Sequence, residues 1–170
     1  DGPYTIRRIK DGRFLAKGES LKASKIEPTS SGIRIGRQLI RSTRVEIVPS
    51  RSPSIWVGTH QYRGSIRLIR HSAKLVLAIN VLPIENYIAS VINGEMPGSF
   101  PKEARKAQAI VARTYALYQA VRRRSSEYDV YADSRSQQYP GFQYRDKNGR
   151  RLAGENSKSR AIAFATLGIV

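Results

Sequence analysis

One carboxylate in this sequence stands where acid–base chemistry is feasible. Glu95 falls between two predicted helices, in the run Gly94-Glu95-Met96-Pro97-Gly98. A general acid must stay partly neutral, which apolar surroundings favour, and Met96, Pro97 and Phe100 are at hand to supply them. The alternative is a solvated loop glutamate near a helix terminus, and spacing alone favours it. Paired-carboxylate chemistry needs a second acid about 5–9.5 Å away. Glu85, Glu103, Asp129 and Asp133 are the candidates, and none sits in a comparable loop. Two cations, Lys106 and Arg113, are seven residues apart and share one side of a predicted helix. Either they line a cleft or they snorkel to water.

Two helices must position these groups. Pro83 suits a first helical turn, and Ile84, Tyr87, Ile88, Val91 and Ile92 follow at amphipathic spacing. Gly94 is placed to end that helix in a left-handed cap, and Pro97-Gly98 to turn the chain. Ser99 is a suitable N-cap for a second helix, about Pro101 to Arg122, with Glu103 in its first turn. On that helix Ala107, Val111, Thr114, Tyr118 and Val121 predict a buried stripe. Ala109, Ala112, Ala116 and Ala120 predict a second one, small enough for close approach, while Arg105, Gln108, Gln119 and Arg122 read as a solvated face.

The residues resemble a family signature. Tyr62-Arg-Gly-Ser65, Asn80-Val-Leu-Pro-Ile-Glu-Asn-Tyr-Ile88, Glu95-Met-Pro97 and Lys106-Ala-Gln-Ala-Ile-Val-Ala-Arg-Thr-Tyr-Ala116 follow one another as in the stage II sporulation protein D and amidase-enhancer family. Tyr128-Asp-Val130, Gln137-x-Tyr139-x-Gly141 and Ala163-x-x-Thr166-x-Gly168 continue in the same order. The resemblance implies action on bacterial cell-wall glycan. It points to a lytic transglycosylase that cleaves strands stripped of stem peptides and leaves anhydro-muramic ends. One Glu then suffices, because the sugar's own hydroxyl attacks and Glu95 serves first as acid and next as base. Lys106 and Arg113 stand at family positions tied to activity and would hold glycan oxygens or muramic carboxylates. Gln137 would donate to sugar hydroxyls and Tyr139 would stack on a sugar face, unless both merely pack a turn. The first alternative is a non-catalytic peptidoglycan-binding module that enhances a cell-wall amidase. Family members usually continue with further strands and a Ser-x-Gly-Gly-x-Thr segment, which this sequence does not contain.

Residues 1 to about 80 read as β-rich, with strands expected at Tyr4–Ile9, Lys25–Glu27, Ile33–Ile35, Thr43–Val48, Ile55–Val57, Ser65–Arg70 and Lys74–Ile79. The last is almost continuously apolar and predicts a central strand. Pro49–Pro53 marks a boundary or exposed loop, giving a possible β module over 1–50 and a glycan-acting domain over 51–170. A short helix is expected over Asn156–Ala165, with Ala161, Ala163, Phe164 and Ala165 inside, and a strand from Leu167. The fold class is therefore α+β.

Thirty Lys and Arg against thirteen Asp and Glu leave a formal charge of +17, which attracts polyanions such as nucleic acid, anionic lipid or acidic wall polymers. No nucleic-acid-binding signature is present, so that partner is not expected. Cysteine is absent, no apolar run reaches membrane-span length, and the chain starts at Asp1, so any leader would lie upstream. The expected location is outside the cytoplasm. Some relatives hold zinc near the Gln-x-Tyr segment, but Ser136 and Gly141 supply no ligands there. His60 and His71 are eleven apart without a third ligand, so neither metal nor cofactor is expected.

Overall fold

Alternating apolar and polar residues lay down the strands of the N-terminal half, and longer 3.6-residue periods lay down the helices after it. The computed structural model describes residues 2–20, 22–50 and 54–170. It is an α+β protein with three antiparallel sheets followed by helices, one of them long. The chain packs as two units, Asp1–Val57 with Tyr62–Val81, and Gly58–Gln61 with Leu82–Val170.

In the first unit run β1 (Tyr4–Arg8), β2 (Phe14–Gly18), β3 (Ile26–Thr29), β4 (Gly32–Ile35), β5 (Gln38–Ile40), β6 (Arg44–Pro49) and β7 (Ser54–Val57). The chain passes through β8 (His60–Arg63) to β9 (Ser65–Arg70) and β10 (Val76–Val81). Five strands pair in the order β10-β9-β6-β1-β2, and three in the order β3-β4-β5. Registers Ile6↔Ile47, Val45↔Leu68 and Ile47↔Ile66 stack one apolar face. Ile6, Val45, Ile66 and Leu68 are almost wholly buried there with Ile33, Ile35 and Ile40. All seven expected strands form, within a residue or two at their ends. The apolar strand β10 is an edge and not the centre of its sheet, since β9 is its sole neighbour among the described residues, and Leu75 just before it is half exposed. The short β2, β5 and β8 lack a legible alternation. Of the expected boundary, Arg51–Pro53 lie outside the described residues.

The second unit holds α1 (Ile84–Glu95), α2 (Lys102–Arg122), β11 (Gln143–Arg145), β12 (Arg151–Ala153) and α3 (Ser157–Ala165). β11 pairs with β12 through a turn at Asp146–Gly149 and, on its other side, with His60 and Gln61 of β8. Asn156 caps α3 in a reciprocal box with Ser159. Its buried side is Ser159, Ile162 and Ala163, while Phe164 is half exposed and Leu167–Val170 form no strand.

The faces of α2 reverse the expectation from side-chain size. Ala109, Ala112 and Ala116 are buried with Arg105 and Arg113, whereas Val111, Tyr118 and Val121 are more than half exposed. Small residues let α2 lie close to its neighbours, and the large apolar row is left on the outside. Arg105, expected in solvent, is 2% exposed, and its Nε and Nη2 have no hydrogen-bond partner among the described residues.

Candidate active site at the end of helix α1

The last turn of α1 carries the candidate acid. Glu95 is the final helical residue and not a loop residue, and Met96 continues in extended backbone with its N–H on the Ile92 carbonyl at 3.1 Å. Gly94 is not a left-handed cap, since its φ is not positive. Its smallness serves a close approach instead. A Cβ at Gly94 would lie 2.6 Å from the Gln138 carbonyl oxygen and 2.9 Å from the Pro140 ring. On the other side of the same loop, a Cβ at Gly154 would lie 2.1 Å from the Gly141 carbonyl oxygen. Two glycines thus pinch the segment 138–141 against the end of α1. Ser99 does not cap α2, whose first helical residue follows Pro101 without a side-chain cap.

That approach brings the Gln138 N–H to Oε1 of Glu95 at 2.6 Å. The carboxylate is exposed, and it has no ion-pair partner among the described residues. Met96, Pro97 and Phe100 do not enclose it, Phe100 being 46% exposed. Behind it lies a buried polar contact. The Tyr87 hydroxyl donates to Oε1 of Gln137 at 2.9 Å, and the Tyr87 and Tyr139 rings lie 4.9 Å apart. Burial first, then the charges of Tyr115 and Glu95, push the Tyr87 hydroxyl far above the usual phenol pKa, so it remains a donor. Gln137 and Tyr139 are themselves buried. The geometry groups them with Glu95 but gives Gln137 a partner in Tyr87.

A cavity of 270 Å³ opens beside this turn, lined by His60, Asn93, Gly94, Gln138, Tyr139 and Tyr144, among others. The Asn93 amide is fixed by Ala153 O at 2.9 Å and by Asn156 Nδ2, which donates to its Oδ1 at 2.7 Å. Reasoning from the sequence missed His60, Asn93, Tyr144 and the Gln138 N–H. A main-chain donor has no side-chain signature, and His60 meets Tyr144 through β11, a strand too short to read.

The two cations are not joined to this cluster by any hydrogen bond or ion pair among the described residues. Lys106 pairs with Glu103 on its own helix at 2.9 Å. Arg113, 2% exposed, grips Glu85 with two parallel bonds, Nε to Oε1 at 3.0 Å and Nη2 to Oε2 at 2.7 Å. Its remaining donors reach Ile169 O at 2.9 Å, Ala163 O at 3.2 Å and Thr166 Oγ1 at 3.3 Å. Arg113 therefore ties α1, α2 and the end of α3 together. Among the described residues no three His, Asp or Glu side chains converge as a metal site, and no helix is long and apolar enough to cross a membrane.

Comparison with known proteins bears on the same stretch. Residues 72–170 match the family model SpoIID, described as stage II sporulation protein. The chain is 30% identical over 116 residues to an uncharacterized protein of Brachyspira hyodysenteriae, covering 63% of this chain and 31% of that one. It is 26% identical over 133 residues to an uncharacterized protein of Chlamydia muridarum, covering 78% and 46%. To stage II sporulation protein D of Bacillus subtilis it is 42% identical over 40 residues, covering 24% and 12%. The chain spans less than half the length of these relatives. No solved structure matches it.

Proposed function

The chain belongs to the SpoIID family of stage II sporulation proteins, and from that membership we propose that it acts outside the cytoplasm as a peptidoglycan lytic transglycosylase. The observation that carries the proposal is Glu95 itself. Glu85, Glu103, Asp133 and Glu155 are each paired with an arginine or lysine. Glu95 has instead one oxygen on a main-chain N–H and no ion pair among the described residues, beside an open cavity. A single accessible carboxylate suits a reaction whose nucleophile belongs to the substrate. Protonated Glu95 gives its proton to the glycosidic oxygen as the bond from the muramoyl C1 breaks. The muramoyl C6 hydroxyl oxygen then bonds to C1, closing the anhydro ring, and its proton returns to the Glu95 carboxylate. The Gln138 N–H orients the carboxylate throughout. Gln137 and Tyr139 support the turn, and Lys106 is free at the end of a flexible stem to meet glycan oxygens if it leaves Glu103.

A second reading, a glycan-binding module that enhances a cell-wall amidase, is favoured by the solvent exposure of Glu95 and the lack of apolar enclosure. Mass spectrometry of glycan incubated with the wild type and with Glu95→Gln separates the two. Anhydro-muramic ends from the wild type alone support the transglycosylase. Their absence from both, with amidase stimulation intact in the variant, moves the function to the binding module.

A further inference from the structure

The outer face of α2 is patterned for pairing with another helix, and it stands in solvent. Ala104, Ala107, Val111, Thr114, Tyr118 and Val121 follow at alternating spacings of three and four, the repeat of a coiled-coil seam. Val111, Tyr118 and Val121 are 61%, 55% and 59% exposed, and Ala107 and Thr114 are exposed between them. The charged residues along this stretch lie off the row, Arg105 and Arg113 turned inward and Lys106 paired with Glu103. Thr114 is no polar intruder, because its hydroxyl already donates to the Ile110 carbonyl at 2.9 Å. Ile110 and the half-exposed Leu117 widen the strip along one edge. A contiguous apolar row of this kind marks a contact surface.

We infer that α2 pairs with the α2 of a second copy of this chain, antiparallel about a twofold axis. The row is complementary to itself in that direction. Run antiparallel, Ala104 faces the second copy's Val121, Ala107 its Tyr118 and Val111 its Thr114. Two layers thus set an alanine against a large side chain, and the layer between joins β-branched residues of equal size. Parallel pairing would stack Tyr118 on Tyr118 and Ala107 on Ala107, overfilling one layer and leaving another hollow. Charge at the flanks selects the same direction. In this register Ile110 lies beside the second copy's Leu117, and Glu103 beside its Arg124, two residues past the helix end. The Glu103 side chain is 77% exposed in spite of its pair with Lys106, and Arg124 has no partner among the described residues. The twofold makes each of these flank contacts twice. From Ala104 to Val121 the seam is only about 27 Å long at the helical rise, so association is weak and reached at high micromolar concentration.

Sedimentation equilibrium of the whole chain, from about 1 µM to about 1 mM, tests the pairing. The weight-average mass should rise with concentration from one copy toward two. Tyr118→Lys places a charge in the layer that faces Ala107, on a residue already half exposed, so the monomer keeps its helical circular dichroism. It should weaken the dimer by about tenfold or more. Charge exchange tests the register. Glu103→Arg and Arg124→Glu should each weaken association by about two- to tenfold, since each breaks two exposed pairs. The two changes together should restore it, because the exchanged pairs re-form across the twofold. A monomer throughout the range overturns the proposal and leaves the face to an unlike partner. A dimer indifferent to Tyr118→Lys also overturns it, by joining through some other surface. A dimer that Tyr118→Lys weakens but the double exchange does not recover overturns the antiparallel register.

Discussion

Removing the guanidinium of Arg113 while leaving Glu85 in place should destabilise the second unit severely. Glu85 is 8% exposed and Arg113 2%, so neither charge can turn to water without opening the helix packing. Arg113→Met leaves a buried carboxylate unpaired, a change that typically costs about 3–5 kcal/mol. The Ile169 carbonyl, on a half-exposed residue, can rehydrate and adds little. Loss on this scale is a large share of the roughly 5–15 kcal/mol that holds a domain folded. The double change Glu85→Leu with Arg113→Met removes both charges and fills the space with apolar atoms, so it should recover to within about 1–2 kcal/mol of wild type. Arg113→Lys should fall between, since an ammonium cannot form the two parallel bonds. Urea unfolding followed by circular dichroism at helical wavelengths reads this unit selectively, because all three helices belong to it. If Arg113→Met lost less than about 1 kcal/mol and yet abolished glycan binding, the structural reasoning would be refuted. Arg113 would then be a ligand-facing residue.

Arg105→Leu should raise stability by about 1–4 kcal/mol, because it removes a buried charge whose Nε and Nη2 have no acceptor among the described residues. A lower urea midpoint in the variant would mean that Arg105 has a partner in solution. Gly94→Ala gains roughly 1 kcal/mol of helix propensity but drives a methyl into the Gln138 carbonyl. A net loss of about 1–3 kcal/mol is expected, with a shifted Gln138 amide resonance, and an unchanged resonance would count against the pinch. His60 has a folded pKa below its unfolded value of about 6.5, so the unfolded chain takes up the proton first as the pH falls. Stability from this group is therefore present above about pH 6.5 and declines below it. Urea midpoints at pH 7 and pH 5 should fall further for the wild type than for His60→Gln, and equal falls would contradict the burial of the imidazole.

Much of the fold was legible because strand alternation and the α1 period are strong, local signals. The exceptions share a cause. Apolar size is a one-way guide to burial, and on α2 the alanines won the interior because a thin face allows close packing. That choice drew Arg105 and Arg113 inward with them. The apolar run of β10 read as central, yet a strand's neighbours are decided by topology and not by its own composition. At the site, the sequence pointed to Glu95, Gln137 and Tyr139, and all three lie at or behind the end of α1. It could not show that Gly94 is required by a distant main chain, nor that Gln138 contributes through its N–H. Such contacts exist only after the loop has been brought back, and nothing in the side chains announces them.

The pinched loop also decides how this site can change. Gly94 and Gly154 set the position of residues 138–141 by main-chain contact, and that loop in turn holds the Glu95 carboxylate. One jaw of the cavity is therefore closed to variation, since any side chain at either glycine displaces the acid along with the loop. The lining also includes His60 and Tyr144, whose stacked rings belong to β8 and β11 and not to the pinched loop. Drift or deliberate mutagenesis confined to those positions can reshape what the cavity accepts and leave the acid where it is. Diversification of this scaffold toward new ligands has a built-in direction, and it runs through the β8–β11 wall.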